Sequence, residues 1–151
     1  KAASEKSSIA EIAMHFNSIL IDILPDYMFC AAYLLLLKPD NRLEYWGGGM
    51  PHAFIVNDTI DVDSIRSKHM PLVSEVTLRP NAKVVIASDG VLEMCNDDGL
   101  MLGDDRFNDM LTCHSNKIPV QTYQAALVDQ LVSFQGSAVQ LDDITLLTFN
   151  T

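Results

Sequence analysis

Three carboxylates stand where charged groups are costly. Asp89 follows the apolar run Val84-Val85-Ile86-Ala87-Ser88 and precedes Gly90, and Asp142 and Asp143 directly precede Ile144-Thr145-Leu146-Leu147. A charge abutting a buried strand is expensive unless it is paired or coordinated. If the two strands are neighbours, the carboxylates meet at one sheet edge. Oxygen donors gathered in this way suit a hard divalent cation such as Mg²⁺ or Mn²⁺. No Cys/His spacing for zinc accompanies them. Asp-Gly and Asp-Asp are also common turn punctuation, and spacing alone leaves both readings open.

Other chemistry-bearing residues carry less. His15 lies near the apolar face of a helical pattern, as a core or boundary histidine would. His69 and His114 sit in polar, loop-like surroundings with no partner at fixed spacing, and a lone histidine without a partner rarely acts. Cys113-His114 is a poor nucleophile pair, because catalytic partners are usually distant in sequence. Asp97-Asp98 and Asp104-Asp105 lack the positions and closing Glu of a calcium loop. They read as a solvated acidic face.

The elements that must position these residues follow from periodicity and punctuation. Ser8-Ile9-Ala10-Glu11 has capping-box spacing, and Ile9, Ile12, Ala13, Phe16, Ile19, Leu20 and Ile23 recur at helical spacing until Pro25. Phe29 to Leu37 is a continuous apolar run, followed by the turn Lys38-Pro39-Asp40-Asn41 and a short strand from Leu43 to Trp46. Together they predict a β-hairpin whose first strand is buried on both faces. Gly47-Gly48-Gly49 marks a bulge or the close approach of another backbone. Ala53 to Val56 is extended, and residues 58–74 show no clear pattern. Val76 to Leu78 and Val84 to Ala87 read as strands around Arg79-Pro80-Asn81. A helix starts at Asp104-Asp105, where acid suits the dipole, and runs to about Thr112. A second spans Thr122 to Phe134 with Tyr123, Ala126, Leu127, Leu131 and Phe134 inward. Ile144 to Phe149 closes the chain as a strand. The order is that of an α+β fold or a layered α/β fold.

The chain has 151 residues, with 10 Lys+Arg against 20 Asp+Glu and a net charge of −10. Its length suits one domain, at roughly 100–200 residues each. A hydrophobic content of 48% excludes a disordered acidic tail. The acidic balance argues against nucleic-acid binding, which needs a basic face. No apolar run reaches the ~18 residues of a membrane span. The three cysteines form no CxxC pair, as expected of a reduced, cytoplasmic protein. The polar start at Lys1 lacks both a signal-peptide pattern and an initiator Met, so a fragment of a longer chain is expected.

Four segments in order resemble one family, the SpoIIE-type, PP2C-like bacterial serine phosphatases. Val84 to Glu93 looks like its "LLLYTDGVTEA" stretch, and Asn96 to Phe107 is similar to its "N..GE.FGEERL". Leu43 to Ala53 resembles "L.YANAGHPPA", and Leu141 to Leu147 matches "DDITLL". The set covers most of the chain. The resemblance implies a β-sandwich flanked by helices, residues 1–151 being one incomplete domain that lacks its N-terminal portion. It implies that Asp89 is a ligand in a binuclear Mn²⁺ or Mg²⁺ site, with Asp142 in a second ligand position and Asp143 as its neighbour. Gly90 is implied to form a tight turn beside the metal. The family uses a metal-bridging water on phosphoserine or phosphothreonine, the metals lowering the water's pKa from about 15.7 toward 7.

The function so implied is a signalling output domain, as in response regulators, following a receiver or sensor domain. Its substrate would be a phosphorylated anti-sigma-factor antagonist, and a homodimer is compatible with this reading. The alternative is an inactive phosphatase-like adaptor that binds a sigma factor or its regulator. The family's early Asp and its "Asp-x-Ser-Gly-His-Gly" segment do not occur here and would precede Lys1. Met70-Pro71-Leu72-Val73 continues more abruptly than the family pattern. "GGGMPH" replaces "NAGHPP", so His52 receives no catalytic role. The fragment alone is expected to bind metal weakly and to turn nothing over.

Overall fold

The computed structural model describes residues 8–57, 62–65, 73–114 and 117–150. His69 and the Met70-Pro71-Leu72 irregularity lie outside them. Among the described residues no helix is long and apolar enough to cross a membrane. The fold is mixed α/β, with antiparallel sheets and helices, in two compact units.

The first unit holds helix α1 (Ile9–Ile23) and strands β1 (Ala32–Leu37), β2 (Arg42–Gly48) and β5 (Ser74–Thr77). The predicted capping box forms at α1. The Ser8 Oγ accepts from the Glu11 amide at 3.3 Å, and the Glu11 carboxylate accepts from the Ser8 amide at 2.9 Å. Ile9 and Ala13 are buried and α1 lies against β1 and β2. His15 is exposed, so it is neither a core nor a boundary residue. The sheet order is β1-β2-β5, every pair antiparallel.

Two expectations about this sheet are corrected. β1 is not buried on both faces, because it is the outer strand, and Leu36 and Leu37 are exposed. Gly47 and Gly48 stay within β2, paired with Tyr33 and Ala32. The close approach at Gly47 comes from the Tyr33 ring rather than from another backbone. An added Cβ would collide with that ring and lie 2.8 Å from its Cδ1.

The second unit holds β3 (Ala53–Val56), β4 (Val62–Ile65), β6 (Lys83–Ala87), α2 (Asp89–Leu92), α3 (Gly103–Thr112), α4 (Val120–Gln135) and β7 (Leu146–Asn150). Its antiparallel sheet runs β4-β3-β6-β7. The two runs flanking Arg79-Pro80-Asn81 therefore do not pair with each other, since β5 pairs with β2 and β6 lies between β3 and β7.

β6 is buried at every residue, as its unbroken Val-Val-Ile-Ala run demands. Its Val85 and Ala87 side chains join Phe54, Val91, Met94, Leu102, Phe107, Leu111, Tyr123, Leu127 and Leu131 in one core. Phe54 and Phe107 meet edge to face with centroids 5.3 Å apart. The buried Tyr123 hydroxyl donates to the Leu111 carbonyl at 2.7 Å. Burial, with a smaller contribution from Cys113, pushes the Tyr123 phenol well above its ordinary value. The ammonium of the buried Lys83 stands 5.3 Å from the Tyr123 ring centroid, a cation–π arrangement.

Candidate functional site

β6 and β7 are neighbours, with Ala87 opposite Leu146 and Ile86 opposite Leu147. Asp89 opens α2 directly after β6, while residues 142–145 lead into β7. Both carboxylate segments therefore reach the same end of the same strand pair.

Ser88 fastens them together. Its amide donates to the Thr145 carbonyl at 3.0 Å, its Oγ donates to the Asp143 carbonyl at 3.0 Å, and that Oγ accepts from the Thr145 amide at 2.9 Å. The hydroxyl thus uses both its donor and its acceptor capacity. Gly90 brings the segments closer still. A Cβ there would collide with the Asp143 carbonyl oxygen, and would lie 3.1 Å from the Asp143 carbonyl carbon and 3.4 Å from that of Asp142. Gly90 lies in the first turn of α2 rather than in an open turn, and its φ is not left-handed. The need for glycine is one of space, because the neighbour is backbone and cannot rotate away.

The carboxylates of Asp89, Asp142 and Asp143 are exposed. The Asp89 Oδ1 accepts from the Gly90 amide at 3.1 Å and the Asp142 Oδ1 from the Asp143 amide at 2.7 Å. The Gln140 side-chain amide donates to the Asp142 carbonyl at 2.9 Å. Among the described residues none of the three forms an ion pair. Open, uncompensated carboxylate oxygens fit the donor chemistry of a hard cation. Among the described residues, however, no group of three or more His, Cys, Asp or Glu side chains is placed to hold a metal. The donors fit part of a ligand set.

A stiff hairpin extends from α2. Cys95 pairs with Met101, the Leu102 amide donates to the Met94 carbonyl at 2.8 Å, and the Asn96 Oδ1 accepts from the amides of Asp98 and Leu100 at 3.1 and 2.9 Å. At its tip Asp97 grips the end of α4. The Asp97 Oδ1 accepts from the Ser137 amide at 3.0 Å and from the Ser137 hydroxyl at 2.7 Å. The Ser137 hydroxyl and amide hold the Asp97 carboxyl below its ordinary range. Asp97 is thus more than part of a solvated face, whereas Asp98, Asp104 and Asp105 are simply exposed. Residue-type reasoning did not single out Ser88 or Asp97. The signal available was the adjacency of Ser88 to Asp89 and the turn-forming Asn-Asp-Asp-Gly around Asp97.

The remaining candidates stay apart. His52 precedes β3, and His114 stands edge-on to Tyr123 with centroids 6.3 Å apart. Cys30, Cys95 and Cys113 are free thiols, and Cys113 donates to the Asp109 carbonyl at 3.1 Å.

Residues 1–151 match the family model of stage II sporulation protein E, SpoIIE. No curated protein matches the chain. Among solved structures, the SiaA-PP2C domain of Pseudomonas aeruginosa is similar at TM-score 0.81 and 24% identity, over 94% of this chain and 60% of that one. The phosphatase domain of the cell fate determinant SpoIIE from Bacillus subtilis, presoaked with Mn, is similar at TM-score 0.70 and 16% identity, over 97% of this chain and 68% of that one. The RsbU and RsbW domains of a Mycobacterium tuberculosis protein are similar at TM-score 0.69 and 16% identity, over 95% of this chain and 42% of that one. This chain therefore spans 60% of the SiaA domain and less than half of the mycobacterial protein.

Proposed function

The chain belongs to the SpoIIE family of PP2C-type phosphatase domains, and from that premise we propose that residues 1–151 form part of one metal-dependent protein phosphoserine/phosphothreonine phosphatase domain. The observation that carries the proposal is the backbone contact between Gly90 and Asp143. With the Ser88 hydrogen bonds it brings the Asp89 and Asp142 segments to one end of the β6–β7 pair, their carboxylates open to solvent.

Asp89 and Asp142 would hold Mn²⁺ or Mg²⁺, with Asp143 beside them and the other ligands outside this constellation. Such a metal supplies a water acidic enough to attack at neutral pH, together with charge that stabilises a phosphoryl group. The work of this chain's own residues is positional. Ser88 fixes the spacing of the two acidic segments, and Gly90 leaves room for them to approach. Exposure of the carboxylates admits a phosphorylated side chain.

The proposed substrate is a phosphorylated protein of the anti-sigma-factor antagonist type, and the proposed setting is a cytoplasmic output domain governed by an upstream receiver or sensor domain. Exposed Ile21, Ile23, Tyr27 and Phe29, at and just beyond the end of α1, support a contact with such a regulator.

The alternative is an adaptor that binds a sigma factor or its regulator without chemistry. The deciding experiment incubates the full-length protein with a phosphoserine protein and Mn²⁺. Metal-dependent phosphate release supports the phosphatase. Binding without release under any divalent metal supports the adaptor.

A further inference from the structure

The Asp97–Ser137 contact joins the two acidic segments a second time, Asp97 following Asp89 and Ser137 preceding Asp142 in the chain. Asp89 sits at the head of α2, and the hairpin that continues from α2 is stiffened by the Cys95–Met101 pairing and by the two amides that Asn96 caps. Asp142 sits on a segment, 138–145, with no regular structure between α4 and β7. Such a segment has little to define its position except its ends and its ties.

Two ties exist. At the near end Ser88 and Gly90 hold Asp143 and Thr145. At the far end Asp97 holds Ser137 by its amide and its hydroxyl. Gly136 is shaped for this second tie. Its φ is +62°, and a Cβ would collide with the Asp97 Oδ2, so only glycine lets the carboxylate reach past it. Between the ties lies a recess of about 160 Å³, lined by Met94, Cys95 and Met101 from the hairpin side and by Gln135, Val139 and Leu141 from the other. The 138–142 span that crosses this recess has no regular structure, so without the far tie its placement falls on the near tie at Asp143 and Thr145.

We infer that Asp97 is a positioning residue for the metal-dependent reaction: through Ser137 it sets where Asp142 stands relative to Asp89. The inference rests on the phosphatase reading for its consequence, but not for its geometry. The carboxylate touches neither substrate nor metal. A charged acceptor suits the role because hydrogen bonds to an ionised group are roughly twice as strong as neutral ones.

The test compares Asp97→Ala, Asp97→Asn and Ser137→Ala in the full-length protein, by amide hydrogen exchange without metal and by Mn²⁺ titration calorimetry. In Asp97→Ala the Thr145 amide exchanges about tenfold faster, while the Val85 amide in the centre of the sheet keeps its rate. Mn²⁺ affinity falls about 10-fold, at the low end of what outer-shell partners cost. Asp97→Asn, which retains one acceptor oxygen, recovers most of both, and Ser137→Ala falls between.

Unchanged Thr145 exchange together with unchanged Mn²⁺ affinity in Asp97→Ala overturns the inference. So does equal acceleration at Thr145 and Val85, because that is general loosening. Asp89→Asn is titrated in parallel. If it binds Mn²⁺ as tightly as the parent, the metal reading fails, and exchange at Thr145 alone decides whether the tie exists.

Discussion

Replacing Gly90 with alanine adds one methyl group where backbone already stands. The new Cβ would collide with the Asp143 carbonyl oxygen and lie 3.1 Å from its carbon, with the Asp142 carbonyl carbon at 3.4 Å. To regain ordinary van der Waals separation the 142–143 backbone must retreat by roughly 1 Å. Overpacking of this kind costs about 1–3 kcal/mol. The better helix propensity of alanine returns at most about 1 kcal/mol, and less in a helix as short as α2 (Asp89–Leu92). The clash wins, leaving a net loss of about 0.5–2 kcal/mol. In a domain of this size that lowers Tm by roughly 1–8 °C. The functional effect is larger, because a displacement of about 1 Å at a reacting centre can cost about 100-fold in rate. The assay pairs thermal unfolding by circular dichroism with Mn²⁺-dependent phosphate release from a phosphoserine protein. Gly90→Ala with unchanged Tm and unchanged turnover would refute the close-approach argument. A lowered Tm with unchanged turnover would show that the 142–143 segment does not position anything the reaction needs.

Three further outcomes follow from the same geometry. Ser88→Ala removes a hydroxyl that bonds both Asp143 and Thr145 and costs about 1–2 kcal/mol in urea unfolding, whereas Ser88→Thr keeps the oxygen and most of the stability. Tyr123→Phe leaves the buried Leu111 carbonyl without its 2.7 Å partner and destabilises by about 1–3 kcal/mol at neutral pH, with the fold retained by circular dichroism. Asp97 titrates below its ordinary value of 3.8 because Ser137 bonds its ionised form. Its stabilisation is therefore present above that value and is lost as pH falls through the depressed one. The stability gap between the parent and Asp97→Asn in urea unfolding should be constant at neutral pH and close only in strong acid.

Much of this was legible in the chain, for identifiable reasons. α1 was marked by a capping box and a helical stripe, both of which are local signals, and its bounds follow them. The strand before Asp89 was legible because a run buried on both faces has no alternation to obscure it. Pairing was harder. Val76 to Leu78 and Val84 to Ala87 flank one turn, yet they serve different sheets, since a turn residue such as Pro80 reports local bending and not strand partners. The apolar run ending at Leu37 looked fully buried because composition does not reveal that a strand is the outer one.

The site divides in the same way. The carboxylates were visible as charges abutting apolar strands, and the neighbouring of β6 and β7 met the condition placed on them. Ser88 and Asp97 were not visible, because their roles lie in partners 55 and 40 positions away. Small polar residues in turns look alike until those partners are known. Gly90 stands in the sequence as a glycine beside an acid, but what requires it is the carbonyl of Asp143, which no local pattern encodes.

The central claim is that Asp89 and Asp142 act together as metal ligands. It is tested most directly by titrating Mn²⁺ into the full-length protein and into its Asp89→Asn and Asp142→Asn variants, with circular dichroism confirming that each is folded. The account predicts tight binding by the parent and a loss of at least about 10-fold in affinity for either single variant. Binding that is equally tight in all three proteins would contradict it.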